Sequence, residues 1–492
     1  MTQNESAQQP EATAAQLESE STTRKRESLR SIFSVPTFSF AFLGIGVYRA
    51  WIEAAFVGSF VPFPTMPIPV RNWFDVFGIV VMLVCVGLTR RIGPFYNRRL
   101  IFALCGISAT VGTAFLFISA TTPGLSPLVP WLAAAFGGIG MGLIILIWSE
   151  VYGCLNPFRV TVYYCASIIA GGLIVYTLMG FMTPWLIIFT TALPLISLNM
   201  AYRAMKHVPP VDRPLPRYGL YKAPWKIFLL MALYGFAYGL IEQQAYSGMF
   251  GPHSAPAVLA VAAVILALVL MRRESFDFLF IVRIGLPLTV IALWMIPALS
   301  STGSDISGAC AIGGYTAFTV LIMVLCSNLC YRYGTSAIWL FGIERSLRLL
   351  FMMLGRAATM IASGYEILGI PGEQLTSGLT ILIVVIATTL LISQKDITGQ
   401  WKESLRVDKK HQEEVRMDAL MDHCAQVSEK HGLTTRETEV LRLLAQRKTV
   451  GMIERECHIA NGTAKAHIRH IYQKLDIHSR KELFDMLDMP GE

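Results

Sequence analysis

Long runs of almost uncharged apolar residues fill the chain between about residue 35 and residue 393. A helix that crosses the hydrocarbon core of a bilayer needs about 20 apolar residues, and windows of that length recur throughout this region. Of the 492 residues, 54% are hydrophobic and only 15% are charged, which excludes an ordinary soluble enzyme. We therefore predict an all-α fold whose main part is a polytopic membrane helical bundle.

About twelve windows have the length and hydropathy of a membrane span. They fall near residues 36–58, 73–89, 100–120, 130–149, 160–181, 184–202, 227–249, 254–271, 276–298, 308–330, 337–362 and 375–393. A long basic loop after the sixth window divides them into a 6+6 arrangement. The first window begins too far from the N-terminus, and is too long and polar, to be a cleaved signal peptide.

Lys and Arg residues are concentrated in alternate loops, which predicts the orientation of the chain. Positive charges near span ends stay on the cytoplasmic side. Basic residues precede the first span and follow each even-numbered span, whereas intervening loops such as "TTPGLSP" and "SGMFGPHSAP" carry almost none. We expect a multi-pass protein of the cytoplasmic membrane with both termini in the cytoplasm.

A change in charge density near Gln394 divides the chain into parts. We predict a disordered cytoplasmic tail at residues 1–34, a membrane domain at 35–393, a linker helix at 394–430 and a small soluble domain at 431–492. Apolar residues recur in the linker at helical spacing: Met417, Leu420, Met421, Cys424 and Val427. Two interpretations remain open, a helix that packs on the soluble domain or its copy, and a solvated spacer.

Six spans, a long basic loop with prolines ("KHVPPVDRPLPRYGLYKAPWK") and six more spans form a layout that resembles the major facilitator superfamily. That family usually carries glycines, an acidic residue and arginines between spans two and three. Here "GLTRRIGPFYNRR", residues 87–99, keeps the glycines and arginines but lacks the acidic residue. "MRRESFD" echoes the paired arginines in the second half, as expected of two related halves. The competing interpretation is that these arginines only fix topology.

Ionisable residues within the spans are candidates for a ligand site, since each costs roughly 2.5 to 3.5 kcal/mol at mid-membrane. Arg49 and Glu53 lie four apart in the first span and are predicted to pair. The candidate ligand-sensing or gating residues are Arg49, Glu53, Glu242, Arg283, Glu344, Arg345 and Arg348. The resemblance implies that the first, seventh and eleventh spans border a central cavity. The alternative is that these charges form internal salt bridges that lock helices together.

No motif of an enzyme is present in the sequence. A phosphate-binding loop, H-E-x-x-H and G-x-S-x-G are all missing, and the nine cysteines include no C-x-x-C pair. We predict no catalytic residue, no metal site and no cofactor.

The C-terminal segment predicts a helix-turn-helix from its residue pattern. Thr434 and Glu437 form a capping box at the start of a first helix, and Thr449 can cap a second with Met452 and Ile453 inward. A third helix spans about 462–475. Its predicted inward residues are Ala464, Ile468, Ile471 and Leu475, with basic residues on the opposite face. In this motif the last helix enters the major groove of double-stranded DNA and basic groups neutralise phosphates.

These residues resemble the LuxR-type helix-turn-helix domain of bacterial transcription regulators. The matching residues include Leu433, Thr434, Arg436, Glu437, Val440, Leu441, Leu444, Ile453, Ile459, Thr463, Lys465, Ile468, Ile471, Lys474, Leu475 and Leu483. The resemblance implies DNA-binding roles for Thr463, Lys465, Ala466, Arg469, His470 and Lys474. It also implies that the last helix mediates dimerisation on a two-fold symmetric site through Lys481, Leu483, Phe484 and Leu487.

Three positions depart from the family pattern. Arg447 replaces a glycine that commonly ends the first helix, where a left-handed non-glycine costs about 1 kcal/mol. Glu454 replaces a small alanine where two helices cross, and Ala460 replaces the usual serine cap. Asn461 can cap instead and recover part of roughly 1 kcal/mol. We expect a domain that needs dimerisation to become fully stable.

The sequence thus predicts a membrane-bound one-component transcription regulator. A small molecule of unknown identity would be sensed by the membrane domain and would change the position or dimerisation of the DNA-binding domain. The expected partners are double-stranded DNA, the lipid bilayer, the small molecule and a second copy of the chain. The alternative is a secondary transporter of a small solute with a regulatory DNA-binding tail.

Overall fold

The computed structural model describes residues 39–57, 70–122, 124–208, 213, 225–245, 253–271, 303–333, 335–362, 365–367, 370–371, 382, 386, 409–446 and 448–487. Regular structure in these ranges is helical apart from two short antiparallel strands, β1 (Glu366–Ile367) and β2 (Ile370–Pro371). The predicted class, a polytopic helical bundle followed by a helix-turn-helix domain, is confirmed.

The membrane part of the described chain consists of consecutive helices. They are α1 (Gly44–Ile52), α2 (Val70–Ile92), α3 (Arg99–Thr121), α4 (Leu128–Gly153), α5 (Pro157–Met179), α6 (Thr183–His207), α7 (Trp225–Ala245), α8 (Pro256–Met271), α9 (Gly303–Tyr333) and α10 (Ala337–Ala362). A 3-10 turn (Phe40–Leu43) precedes α1 and a π-helical turn (Glu53–Val57) follows it. A second 3-10 turn (Phe95–Asn97) joins α2 to α3.

Seven helical segments within the described ranges are long and apolar enough to cross a membrane. They are Phe40–Val57, Arg71–Ile92, Arg99–Thr121, Leu128–Gly153, Pro157–Met179, Thr183–His207 and Ile312–Tyr331. Shorter apolar stretches lie in α7 and α8, and α10 carries several charged residues. Of the predicted windows, 276–298 lies outside the described residues, as does 375–393 except for two helical positions, so the total of about twelve spans stays a prediction.

Hydrogen bonds between buried side chains connect the helices of the first half. The indole N–H of Trp51 on α1 donates to the Thr113 hydroxyl on α3 at 2.8 Å. The indole N–H of Trp148 on α4 donates to the Ser197 hydroxyl on α6 at 2.9 Å. Each bond satisfies a polar group that would be costly to bury without a partner. The large aromatic residues therefore fill the interior without unpaired indole groups at these two positions.

Close packing of α7 on α10 depends on two glycines of α7. A methyl group added at Gly235 would lie 2.9 Å from the backbone oxygen of Arg348, and one at Gly239 would overlap the backbone oxygen of Met352. Small residues let helix backbones approach closely within a membrane. This approach brings Glu242, one turn further along α7, beside Arg356 of α10.

Glu150, in the last turn of α4, stabilises the loop that resembles the major facilitator pattern. Its carboxylate accepts hydrogen bonds from the backbone N–H of Phe95 at 2.8 Å and from that of Tyr96 at 3.1 Å. The loop between α2 and α3 lacks an acidic residue in its own sequence. An acid from another helix therefore contacts this loop.

The C-terminal helices have a hydrophobic core of their own. They are α11 (Lys409–Lys430), α12 (Thr435–Ala445), α13 (Val450–Cys457), α14 (Asn461–Leu475) and α15 (Arg480–Met486). Leu420, Cys424 and Val427 of α11 are buried in the same cluster as the core residues of α12, α13 and α14. The structure therefore supports packing of the linker helix on the soluble domain over a solvated spacer.

Of the three predicted N-terminal caps in the C-terminal domain, the cap of α12 is present, and those of α13 and α14 differ from the prediction. The capping box is present: Glu437 N–H donates to the Thr434 hydroxyl at 3.3 Å, and Thr434 N–H donates to Glu437 Oε2 at 2.8 Å. Thr449 occupies the cap position of α13 but makes no side-chain capping bond. Asn461 is not the cap of α14, because that helix already begins at Asn461 and Ala460 precedes it.

One predicted core residue of α13 faces outward. Met452 is 40% exposed, whereas its neighbour Ile453 is fully buried. Adjacent residues on a helix point in different directions, so the short α13 cannot bury both side chains against one neighbour. The inward placement of Met452 was wrong.

Candidate functional site

A cavity of about 150 Å³ lies among the helices of the membrane domain. Its charged lining residues are Arg49, Arg71, Asp75, Glu242, Arg345 and Arg348. Tyrosine side chains complete much of the polar lining: Tyr48, Tyr164, Tyr238 and Tyr315. These residues belong to α1, α2, α5, α7, α9 and α10, so both predicted halves of the bundle border the cavity.

Ion pairs on one side of the cavity join α2 to α7 and α10. Arg71 pairs with Glu242, and Arg356 contacts both Glu242 Oε2 at 3.5 Å and Asp75 Oδ2 at 2.5 Å. Arg71 and Asp75 lie four residues apart and share one face of α2. Two arginines and two carboxylates therefore form one network between the first half of the bundle and the second.

A second charged cluster lies on α10. The Nε atoms of Arg345 and Arg348 are each 3.3 Å from a carboxylate oxygen of Glu344. Arg348 also donates to the Thr319 hydroxyl at 3.4 Å, and its guanidinium lies 5.9 Å from the ring centre of Tyr315. Glu344 is buried and does not line the cavity, whereas both arginines do. One carboxylate thus serves two arginines.

Glu53 has partners other than the one predicted. Its carboxylate accepts a hydrogen bond from the backbone N–H of His253 at 2.5 Å and another from the Ser254 hydroxyl. The predicted ion pair with Arg49 is absent from the described structure, because the donors that precede α8 occupy the carboxylate instead. Glu53 is fully buried and does not line the cavity, and its ligand-sensing or gating role stays a prediction.

Arg49 lines the cavity from α1. Its Nε is buried and has no hydrogen-bond partner among the described residues. Arg283, another candidate ligand-sensing residue, lies outside the described residues.

The candidate ligand residues from the sequence did not include three charged residues of the first network: Arg71, Asp75 and Arg356. Arg71 and Asp75 lie near the start of a span, where a charge costs less free energy than at mid-membrane and is a weaker signal of function. Arg356, in contrast, lies well inside the window 337–362. The cost of a charge within a span was therefore a signal in the sequence that points to this residue. The tertiary structure was needed to show that Arg71 and Arg356 share Glu242 and that Asp75 pairs with Arg356.

The outer face of α14 presents most of the predicted DNA-binding residues. Thr463, Lys465, Arg469, His470 and Lys474 are exposed, and Ala466 is partly buried. On the opposite face, Ala464 and Ile471 are fully buried in the core. Because α14 is amphipathic, its polar and basic face is exposed to solvent, as docking in the major groove requires.

Lys474 differs from the other basic residues of α14 because it has partners within the domain. Its ammonium group lies 2.7 Å from Glu437 Oε2 and donates to the backbone oxygen of Gly432 at 3.1 Å. Burial acts to raise the pKa of Glu437, but hydrogen bonds from Lys474 and Thr434 outweigh burial and lower this pKa to about 2. The predicted phosphate contact of Lys474 thus competes with an intramolecular ion pair.

Glu454, which departs from the family pattern, contacts Asn461, the residue predicted to cap α14 in place of Ala460. The side-chain amide nitrogen of Asn461 donates to Glu454 Oε2 at 3.0 Å. Glu454 lies on α13 and Asn461 begins α14, so this bond connects the two helices of the motif. The Glu454 side chain, which is larger than the usual alanine, therefore has a hydrogen-bond partner. This bond does not cap the N-terminus of α14. Of the other two departures, Ala460 precedes α14 without a side-chain capping bond, and Arg447 lies outside the described residues.

The predicted dimerisation residues do not form one exposed surface. Leu483 and Leu487 are fully buried in the core of their own domain, so their assignment to a dimer interface was wrong. They close the core from α15 because apolar residues four apart share one helix face. Phe484 is partly exposed, and its ring lies 5.4 Å from the guanidinium of Arg480. The side chain of Lys481 lies outside the described structure.

The fold and the two sites define a helical membrane protein that carries a DNA-binding domain. Residues 431–487 match the family described as "Bacterial regulatory proteins, luxR family", which confirms a LuxR-type helix-turn-helix domain in this segment. No curated protein sequence matches the chain.

Solved structures of transporters are similar to the chain over most of their length. A bacterial homologue of the iron transporter ferroportin, in an outward-facing state, is 13% identical with a TM-score of 0.50, covering 74% of this chain and 97% of the homologue. The human organic anion transporter MFSD10 (TETRAN) is 16% identical with a TM-score of 0.47, covering 75% of this chain and 92% of the transporter. The first likeness concerns the fold alone, and it agrees with the predicted major facilitator-like architecture.

Proposed function

We propose that this protein is a membrane-bound one-component transcription regulator. In this proposal a small molecule binds the membrane domain and controls DNA binding by the LuxR-type domain of the same chain. The observation that carries the proposal is the outer face of α14, where Lys465 and Arg469 are exposed while Ala464 and Ile471 anchor the helix in the core. A helix held in this way can place its exposed residues in the major groove.

The cavity supports a sensing role for the membrane domain. A ligand shifts an equilibrium between two conformations only if it binds them with different affinity. Helices of both halves line the cavity, so the contacts of a bound molecule would change whenever the halves move. The network of Arg71, Glu242, Arg356 and Asp75 crosses the same boundary and would rearrange with it.

The proposal places the protein in the cytoplasmic membrane with both termini in the cytoplasm. The distribution of basic loops supports this orientation, and access of the C-terminal domain to the chromosome requires it. LuxR-type domains act on two-fold symmetric sites as dimers by the resemblance described above. The proposal therefore includes a homodimer on the DNA.

The direct test is DNA binding by the full-length protein in lipid nanodiscs. A labelled fragment from upstream of its own coding sequence is compared with a scrambled fragment, by fluorescence anisotropy at two salt concentrations. We expect selective, salt-sensitive binding that is lost in Arg469→Ala and Lys465→Ala. Arg442→Ala is the matched control, since this exposed arginine lies on α12 rather than α14. Equal binding of both fragments, or equal effects of Arg442→Ala and Arg469→Ala, would contradict the proposal.

A transporter with a regulatory tail is the second candidate. The position of the cavity between two halves favours it, because transporters of related architecture place their substrate at such an interface. Concentrative uptake of a solute into proteoliposomes would support transport as the primary function. Ligand-dependent promoter binding without uptake would exclude it.

A further inference from the structure

Positive charge is in excess around the cavity. Four arginines and two carboxylates line it directly: Arg49, Arg71, Arg345, Arg348, Asp75 and Glu242. Their ion-pair partners behind the lining add one arginine and one carboxylate, Arg356 and Glu344. Among the described residues, five arginines therefore share three carboxylates. Glu53 adds a fourth carboxylate behind the lining, close enough to interact electrostatically with Arg49, but it accepts its hydrogen bonds from His253 and Ser254 and makes no ion pair with Arg49.

The excess charge can be assigned to particular arginines. Arg71 and Arg356 are matched by Glu242 and Asp75. Arg345 and Arg348 share the single carboxylate of Glu344. Arg49 makes no ion pair with any described residue, and its Nε is buried without a hydrogen bond. A buried guanidinium needs a counter-charge to offset its desolvation.

We propose that the cavity binds a small organic carboxylate, with Arg49 as the residue that anchors the anion. This inference rests on the proposed sensing role of the membrane domain and specifies the class of ligand. A guanidinium offers paired N–H donors that match the two oxygens of a carboxylate. Arg345 and Arg348 of α10, which share one carboxylate, supply further positive charge at the lining.

The size and the remaining lining restrict the body of the ligand. A cavity of about 150 Å³ is the size that holds benzene in an engineered protein interior, which suits a ligand of about six to ten non-hydrogen atoms. Ile45, Ile52 and Met141 supply apolar walls. The stacked rings of Tyr238 and Tyr315, with centres 4.2 Å apart, also border the space. A compact apolar body with one carboxylate fits this lining, and a nucleotide or a sugar phosphate is too large.

The test uses matched probes that differ only in charge. Purified full-length protein is titrated calorimetrically with benzoate, benzamide and benzylamine, and with hexanoate, hexanamide and hexylamine. We expect at least one carboxylate to bind and its amide and amine counterparts to bind at least about tenfold more weakly, as loss of a charge-assisted hydrogen bond predicts. Binding of neither carboxylate, or equal binding of amide and carboxylate, would overturn the inference.

Variants then locate the anion. Arg49→Gln should weaken carboxylate binding at least about tenfold, and Arg49→Lys should weaken it less, because a charge remains without the paired donors. Arg99→Gln, at an exposed arginine outside the cavity, should leave affinity unchanged. Unchanged affinity in both Arg49 variants would refute the anchoring role. If Arg49→Gln fails to fold, the affinity of Arg49→Lys alone decides whether Arg49 anchors the carboxylate.

The ligand class and the regulatory function can fail separately. Selective DNA binding that Arg469→Ala abolishes, together with no preference for carboxylates, would overturn the ligand class and leave the regulator standing. Carboxylate binding that depends on Arg49, without selective DNA binding, would support the ligand class and reject the regulator.

Discussion

The ammonium group of Lys474 lies 2.7 Å from Oε2 of Glu437, the same oxygen that accepts the Thr434 backbone N–H in the capping box. Lys474 is in the last turn of α14, and Glu437 is in the first turn of α12. The lysine at the end of α14 therefore stabilises the start of α12. A residue that resembles a phosphate contact in the sequence thus has a second role in holding the domain together.

Acid should destabilise the C-terminal domain through Glu437. Its pKa is lowered from 4.5 to about 2, because hydrogen bonds from Lys474 and Thr434 outweigh the effect of burial. A carboxyl group with a lower pKa in the folded state contributes stability that is complete above the unfolded value of 4.5 and is lost as pH falls towards 2. Urea denaturation of residues 409–487, followed by circular dichroism, should show this loss in the wild type.

Removing the Glu437 carboxylate should abolish that part of the acid dependence. Glu437→Gln should lower the free energy of unfolding by about 1 kcal/mol at neutral pH, the usual value of a capping interaction. Glu439→Gln is the control, because its ion pair with Arg436 is exposed, with 48% and 62% of the side chains accessible. The control should change stability by less than about 0.5 kcal/mol. Equal losses in the two variants would contradict a special role for Glu437.

The bond between Asn461 and Glu454 predicts energetic coupling between α13 and α14. A double-mutant cycle of Asn461→Ala and Glu454→Ala should give a coupling energy of about 0.5 to 1 kcal/mol, since the bond is charge-assisted but largely exposed. The measurement is urea denaturation of the two single variants and the double variant. Additive effects would mean that Asn461 and Glu454 stabilise the domain independently of each other.

Residues of α15 should separate folding from dimerisation. Leu483→Ala should lower the free energy of unfolding by about 2 to 5 kcal/mol, because Leu483 is fully buried in the core. Phe484→Ala should cost much less stability, since Phe484 is only partly buried, and should weaken self-association if α15 forms the dimer contact. Analytical ultracentrifugation together with denaturation distinguishes the two effects. If Phe484→Ala leaves self-association unchanged, the dimer interface lies on a surface that does not include Phe484.

Loss of the shared carboxylate in the membrane network should be costly. Glu242→Gln removes a carboxylate that pairs with both Arg71 and Arg356, and breaking a buried ion pair typically costs about 3 to 5 kcal/mol. We expect a lower melting temperature of the purified full-length protein. Arg71→Gln combined with Glu242→Gln should recover part of the loss, because the charge imbalance is smaller. A double variant less stable than either single variant would contradict this account.

Local patterns in the sequence were sufficient where short-range physics decides the outcome. The capping box of Thr434 and Glu437 and the inward face of α14 depend on residues three or four positions apart, and both are present as predicted. Apolar windows likewise located the described membrane helices, because a bilayer requires long apolar segments whatever their neighbours are. Helix starts were less certain: Asn461 begins α14 rather than capping it.

The partners of charged residues were determined by the tertiary structure. Arg49 and Glu53 have the spacing of an ion pair, yet Glu53 binds donors about 200 positions away in the chain, which helix periodicity cannot reveal. Arg356 contacts Glu242 because close packing at glycine brings α7 and α10 together, and Arg71 pairs with the same carboxylate from α2. The sequence by itself determined a bundle of apolar helices and a basic helix-turn-helix, since both follow from local periodicity. Only the tertiary structure decided which charges form ion pairs and that Arg49 makes none with a described residue, because that depends on distances between helices remote in the chain.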